Sequence, residues 1–536
     1  MSNFFLVKKK NNYRVKKSGG VLMFESLIGS FKNMVLSLNG LLWGKLITVN
    51  VGETIIELSL LVVILIPVGI YFTVRTKFLP FRLFPEMIKC VLEPKSSDNK
   101  DSISGLQALF IATASRVGMG NLAGVVAAIS FGGPGAIFWM WLAALIGASS
   151  AFIESTLAQI YKEKDPLYGG FRGGPAYFMD RMRIITWVKE EDEYVNDIKG
   201  TSKYVSIDGK KYYTRGTRFK LLGVLFALSG LLCWAGISQV IANSVTQSFA
   251  NAFNFPPLYT TIALVVISGI VLFKNAGIVD VLNKIVPAMA ILYFSVTLFI
   301  VIKNIGLIPQ MLENIFVQAF GFRQAVAGGF GAILMQGVKR GLFSNEAGSG
   351  SAPCAAAAAD VTHPVKQGLI QALGVFIDTL VICSCSAFIM LLAPESVTKG
   401  LMGMDLLQAA MNHHIGQAGV IFIAIILFLF SFSTFLGIMF YARGNVAYVF
   451  GDNWKSQNLY KVFALGMLFA GGLAQYTFVW ELGDLGVGLM TVFNMMAIIP
   501  LSGQVMESLK DYELNYMKKK DNKVKANQEV ELQETI

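Results

Sequence analysis

The chain has 536 residues, 54% of them hydrophobic and only 15% charged. Globular proteins average about 25% charged residues, so this sequence cannot supply the polar surface of a soluble protein and reads as an all-α polytopic membrane protein. Its net charge of +11 would suit nucleic acid, but the distribution of that charge, set out below, excludes that reading.

Residues 1–55 read as a basic extension, "KKKNNYRVKK", followed by "FESLIGSFKNMVLSLNGLLWGKLIT" (24–48). That second stretch is apolar at helical spacing with polar interruptions, as in a helix lying in the membrane interface; an extra weak span is the alternative. Apolar runs then recur near 56–74, 105–131, 135–160, 220–249, 258–273, 281–302, 322–361 (broken), 367–393, 417–441, 460–479 and 484–505. At roughly 20 residues per crossing these make about eleven spans in a transmembrane domain over 56–506. The first ends in Tyr71–Lys77, and neither its position nor its flanks suit a cleaved signal peptide. Residues 507–536 form a charged tail, expected to be disordered beyond Tyr516.

Alternating the spans puts about 30 Lys and Arg on the side of the tail, and about 3 on the other after the first span. This asymmetry follows the positive-inside rule and assigns the C-terminus to the cytoplasm of a plasma (inner) membrane. The basic N-terminus falls outside by this count; it reads as an extension, with Met23 as an alternative start, or else the first span is misassigned. The largest loop, 161–219, is cytoplasmic and contains "KYVSIDGKKYYT", where Asp208–Gly209 predicts a tight hairpin turn.

Cys90, Cys233, Cys354, Cys383 and Cys385 show no metal-ligand spacing and read as buried thiols. His363, His413 and His414 fall near span ends, outside any acid–base cluster. No nucleotide-binding signature and no enzymatic constellation occurs, so transport must be driven by a gradient or by diffusion, with no cofactor.

The second span carries "SRVGMGNLAG" at mid-membrane. Broken helices are tolerated in a bilayer where they line an enclosed cavity. Gly118 and Gly120 flank Met119 and let the backbone leave helical geometry. The freed amides and the new helix N-terminus then suit a carboxylate, while the carbonyls from Ala114 to Val117 suit a cation. Tight packing through glycine is the alternative. A second interruption, "GLFSNEAGSGSAP" (Gly341–Pro353), lies in the seventh region, with "GGFGAILMQG" (Gly328–Gly337) as a rival position. Two units of five helices, each opening with a discontinuous helix, match an inverted-repeat secondary transporter.

With "GGPGAIFWMWLAALIG" (Gly132–Gly147) and "YGGFRGGPAYFM", these motifs resemble the alanine or glycine:cation symporter family, the sodium:alanine symporters, over about Leu58 to Met506. The 161–219 loop looks enlarged by about thirty residues against that family. The resemblance implies a LeuT-like 5+5 inverted repeat plus one preceding helix, importing alanine or glycine with sodium. It places substrate at Gly118, Met119, Gly120, Asn121, Gln239, Phe343, Ser344, Asn345 and Glu346. Phe330, Phe343, Trp234 or Phe435 would close a small pocket around it. Sodium falls to Ala114, Val117, Phe430, Ser433 and Thr434. Arg116 needs a buried partner, for which Glu346 is the candidate. Glu154 and Asp378 are intramembrane carboxylates left outside the site. The rivals are a proton-coupled transporter using Glu154, Asp378 or Glu346, a channel, and an amino-acid sensor that does not transport.

Overall fold

The computed structural model describes residues 19–51, 54–97, 101–189, 204–207, 210–218, 220–274, 278–320 and 329–517. The basic run at 8–17, the Asp208–Gly209 turn and the tail beyond Met517 lie outside them.

Helix α1 (Gly19–Trp43) buries Val35, Leu42 and Trp43 but exposes Phe31, Met34 and Leu41. A hairpin follows, β1 (Ile47–Val51) on β2 (Thr54–Leu58), with Val51 opposite Thr54. The first expected span therefore starts later than its apolar run: α2 (Leu60–Arg75) begins where the Ser59 hydroxyl accepts from the Val62 amide at 3.3 Å. Short helices α3 (Leu79–Arg82) and α4 (Phe84–Leu92) lead to α5 (Gly105–Arg116). Its start is a reciprocal capping box of Ser104 and Gln107, with bonds of 2.8 and 3.1 Å. After Arg116 the helix breaks, resumes as a π-helical turn at Gly120–Gly124 and continues as α6 (Val125–Gly132), bent by 46°.

Helix α7 (Gly135–Ile160) returns across the domain. Beyond it lie the two-stranded β3 (Glu163–Lys164) and β4 (Phe171–Arg172), and α8 (Pro175–Asp180). Strands β5 (Arg183–Lys189), β6 (Tyr204–Ile207) and β7 (Lys210–Arg218) form a sheet in the order β5-β7-β6, with Ile207 opposite Lys210. Next come α9 (Lys220–Phe253), α10 (Pro257–Phe273), α11 (Ile278–Lys303) and α12 (Ile308–Ala319). The second broken pair is α13 (Gly329–Asn345) and α14 (Pro353–Ala358). Helix α15 (Pro364–Val375) runs through a π-helical stretch, Phe376–Cys383, into α16 (Ser384–Leu391). Last are α17 (Glu395–Thr398), α18 (Gly403–Ile415), α19 (Gln417–Phe450), α20 (Trp454–Gly472) and α21 (Tyr476–Asp511).

Helices overlap each of the expected apolar runs, though the first run begins in β2 and residues 322–328 of the seventh lie outside the described residues. Among the described residues six helices are long and apolar enough to cross a membrane, or seven if the bent α5–α6 pair is one span. The burial pattern is that of a protein in lipid: Ile291, Ile270 and Leu459 lie exposed, while Arg116, Asn121, Glu154 and Asp378 are buried. The core helices approach through small residues, a substitute for the hydrophobic drive that lipid removes. Gly486 of α21, for example, lies so close to α9 that a Cβ would stand 2.3 Å from the Cys233 Cα. All five cysteines are free and buried.

Candidate functional site

The two breaks meet at the centre of the bundle. The start of α5 is joined to the end of α14 by a backbone bridge of Ile103 to Ala359, and the Asp360 amide donates to the Ile103 carbonyl at 2.8 Å.

At the first break, Thr434 of α19 is the hub. Its hydroxyl lies 3.0 Å from the Ala114 carbonyl and 2.8 Å from that of Phe430, and accepts from the Met119 amide at 3.3 Å. Gly118 is required by this approach, since a Cβ would stand 1.7 Å from the Thr434 Oγ1. Of the residues expected to hold sodium, Ala114, Phe430 and Thr434 thus converge. Ser433 points elsewhere: its hydroxyl donates to the Phe430 carbonyl at 2.9 Å and lies 3.7 Å from the Met289 sulfur. Val117 caps α5 through its amide, bonded to the Thr113 carbonyl at 2.5 Å.

The second break runs from Glu346 to Ala352, marked by positive φ at Glu346 (57°), Gly348 (88°) and Gly350 (84°). The rival position is helical: Gly329–Gly337 lie inside α13. Phe343, Ser344 and Asn345 form the last turn of α13 rather than part of the break. Gly120 packs on that turn, where a Cβ would lie 2.7 Å from the Ser344 Cα. Asn121 donates to the Asp378 carbonyl at 3.0 Å and accepts from the Ser344 hydroxyl at 3.3 Å. Ser344 also reaches the Asp378 carboxylate at 2.7 Å, and Asn345 donates to Thr379 at 3.2 Å.

Arg116 and Glu346 do meet, Nε to Oε2 at 3.9 Å, both buried. Glu346 accepts from the Ser115 hydroxyl at 2.6 Å and from the Tyr441 hydroxyl at 3.2 Å, while Arg116 donates to the Gln371 carbonyl at 3.3 Å. Neutralising either partner alone strands a buried charge, at a cost of about 3–5 kcal/mol. We expect R116Q and E346Q each to lower the thermal midpoint of the purified protein, and the double variant to recover part of the loss. Strict additivity would show that the pair is not coupled.

Gln239 is not bonded to either break; it lies on α9 against Gly471, and its Oε1 is buried with no protein partner among the described residues. Phe343 packs on Trp480 (5.0 Å between ring centroids) and Trp234 on Tyr441 (5.9 Å). Phe330 stands apart from the breaks, edge-on to Trp139 at 5.6 Å, and Phe435 is fully buried.

Glu154 holds the second break together. The Gly348 and Gly350 amides each donate to its carboxylate at 3.1 Å, and Asn494 donates at 2.6 Å. The carboxylate does for these amides what a bound anion would do at an unwound helix. Its isolated position in an apolar helix signalled importance but not this partner; Tyr441 and Thr379 gave no signal.

Two helices broken at the centre of an apolar bundle, with carbonyls, amides and buried carboxylates turned to one place, define a solute transporter. The sodium:alanine symporter family profile matches residues 44–188 and 199–526. The chain is 42% identical over 466 residues to the "Probable sodium/glutamine symporter GlnT" of Bacillus subtilis (strain 168), covering 87% of this chain and 90% of that one. It is 41% identical over 452 residues to the same organism's "Amino-acid carrier protein AlsT" (84% and 88% covered). It is 32% identical over 457 residues to the "Sodium/proton-dependent alanine carrier protein" of Bacillus sp. (strain PS3) (82% and 94%). The chain belongs to the sodium:alanine symporter family, a family of membrane transporters rather than enzymes.

Proposed function

We propose that the protein imports a small neutral amino acid, alanine or glycine, together with sodium across the plasma membrane, with its C-terminus in the cytoplasm. The spans form a LeuT-like inverted repeat of two five-helix units behind α2. Sodium takes the carbonyls of Ala114, Val117 and Phe430 and the Thr434 hydroxyl. The substrate carboxylate takes the amides of Gly120 and Asn121, since those of Gly118 and Met119 are bonded to the Arg116 carbonyl and the Thr434 hydroxyl, and the last turn of α13 with Glu346 and Gln239 walls the rest. The observation that carries this reading is the Thr434 hydroxyl, which joins the Ala114 carbonyl at the bend to the Phe430 carbonyl one turn earlier on α19. Hard cations seek such oxygen clusters, and unwound helices supply them in transporters.

Proton coupling is the second reading. Glu154 and Asp378 are buried and make no ion pair among the described residues, and one Asp378 oxygen has no hydrogen-bond partner there. Carboxylates inside membrane spans are candidates for proton relays. Labelled alanine uptake into proteoliposomes under imposed sodium or proton gradients separates the two: uptake driven by pH alone would overturn sodium coupling.

The side-chain pocket, closed by Phe343, Trp480 and Trp234, is expected to be small. Unlabelled glycine should compete with labelled alanine, and leucine and phenylalanine should compete poorly. Glutamine is the informative competitor, because the 42% identical relative carries that name. Competition by glutamine equal to that of alanine would replace the proposed substrate and leave the fold and ion untouched.

A further inference from the structure

Residues of α10, α11, α19 and α20, with Tyr168, line a cavity of about 50 Å³. Two cations line it, Arg443 and Lys461, together with Tyr168, Phe440 and Tyr460, and no acidic side chain does. We propose that this cavity binds a phosphate-bearing anion.

Arg443 lies over two aromatic rings. Its guanidinium carbon lies 3.7 Å from the Phe440 centroid and 4.8 Å from that of Tyr168. Rings engage the faces of a guanidinium and leave its N–H edge free for a planar acceptor. Among the described residues Arg443 makes no ion pair. Asp165, whose charge also acts on Arg443, lies 3.8 Å from the Arg172 Nη1, and Asp452 lies 2.7 Å from the same atom. Lys461 is 7% exposed, with its ammonium 5.7 Å from the Phe273 ring and 5.9 Å from that of Trp454. A fork-shaped donor beside a point charge in an aromatic cage is the chemistry that grips phosphate.

The surroundings favour a lipid headgroup over a free ion. Phe273, Phe450, Leu459 and Val462 are exposed beside the cavity, on the ends and outer faces of these helices. Acyl chains would lie there, with Tyr168 and Trp454 at the headgroup level. In the proposed orientation these helix ends are cytoplasmic, which makes the ligand an anionic lipid of the inner leaflet. Only the leaflet rests on that reading; the binding does not.

The test uses the purified full chain without amino acid or sodium gradient, so it succeeds or fails independently of transport. Thermal unfolding is followed with added phosphatidylglycerol, phosphatidylcholine or inorganic phosphate. Phosphatidylglycerol should raise the midpoint by about 2 °C or more, phosphatidylcholine should not, and the R443Q/K461Q variant should lose more than half of the shift. If inorganic phosphate alone gives the shift in the wild type and not in the variant, the anion site stands with a soluble source. An unchanged shift in the variant, or an equal effect of phosphatidylcholine, overturns the proposal. Native mass spectrometry of the wild type with both lipids needs no variant: selective retention of phosphatidylglycerol is expected, and equal retention would refute the site.

Discussion

Gly118→Ala should cut sodium-driven alanine uptake by at least about fivefold while the protein still inserts and purifies as a folded species. The added methyl would stand 1.7 Å from the Thr434 Oγ1 and 3.0 Å from the Phe430 carbonyl, and Thr434 is fully enclosed. Overpacking of this kind costs about 1–3 kcal/mol, enough to disfavour the assembled geometry roughly 5- to 150-fold without unfolding a protein of this size. The side chain displaced is the one that joins the first break to α19, so the damage falls on the ion oxygens first. Gly120→Leu should be as severe by another route. Its Cβ would meet the Ser344 Cα at 2.7 Å and the Phe343 carbonyl at 3.2 Å, both backbone atoms of the other broken helix. Uptake and monodispersity measured on the same preparations decide the matter. Wild-type sodium dependence in Gly118→Ala would reduce the bend to a packing seam.

The first break was legible because glycine and arginine at mid-span contradict a lipid-facing helix. The second was legible only as a region. "GLFSN" continues the helix of α13, since nothing in it stops a helix, and the chain turns where Glu346 and the glycines of "GSG" take positive φ. The hairpin before α2 was hidden because its β-branched residues merge into the apolar run of the helix they precede. What the sequence could not show is pairing at long range. Glu154 is conspicuous as a carboxylate among apolar residues, but its amide partners lie 194 and 196 positions away. Tyr441 looks like any interior aromatic until α19 brings it to Glu346. Adjacent hydroxyls posed a rotational question: at 3.6 residues per turn, neighbours point about 100° apart, so the register of the helix decides which of Ser433 and Thr434 bonds the break. The register of α19 turned Thr434 toward it.

That division of labour makes the sodium dependence of two single-hydroxyl variants the sharpest test of the proposed ion site. In the wild type the Thr434 hydroxyl sits between the carbonyls of Ala114 and Phe430 and accepts from the Met119 amide. Thr434→Ala removes one oxygen from the cation and leaves that amide without its acceptor. A lost polar contact of this kind is worth about 1–2 kcal/mol, so half-maximal uptake should need roughly tenfold more sodium. Coupling between two bound ligands is reciprocal, so at fixed, subsaturating sodium the same variant should also bind alanine more weakly. Saturating sodium should restore most of that affinity, because no proposed substrate contact has been removed. Ser433→Ala should leave the sodium dependence within about twofold of wild type, since its hydroxyl faces Met289 and its bond to Phe430 is a turn-to-turn contact within one helix. The same shift in both variants would place the ion between the two hydroxyls. No shift in either would remove it from this bend, and the buried carboxylates Glu154 and Asp378 would become the first candidates for the coupling step.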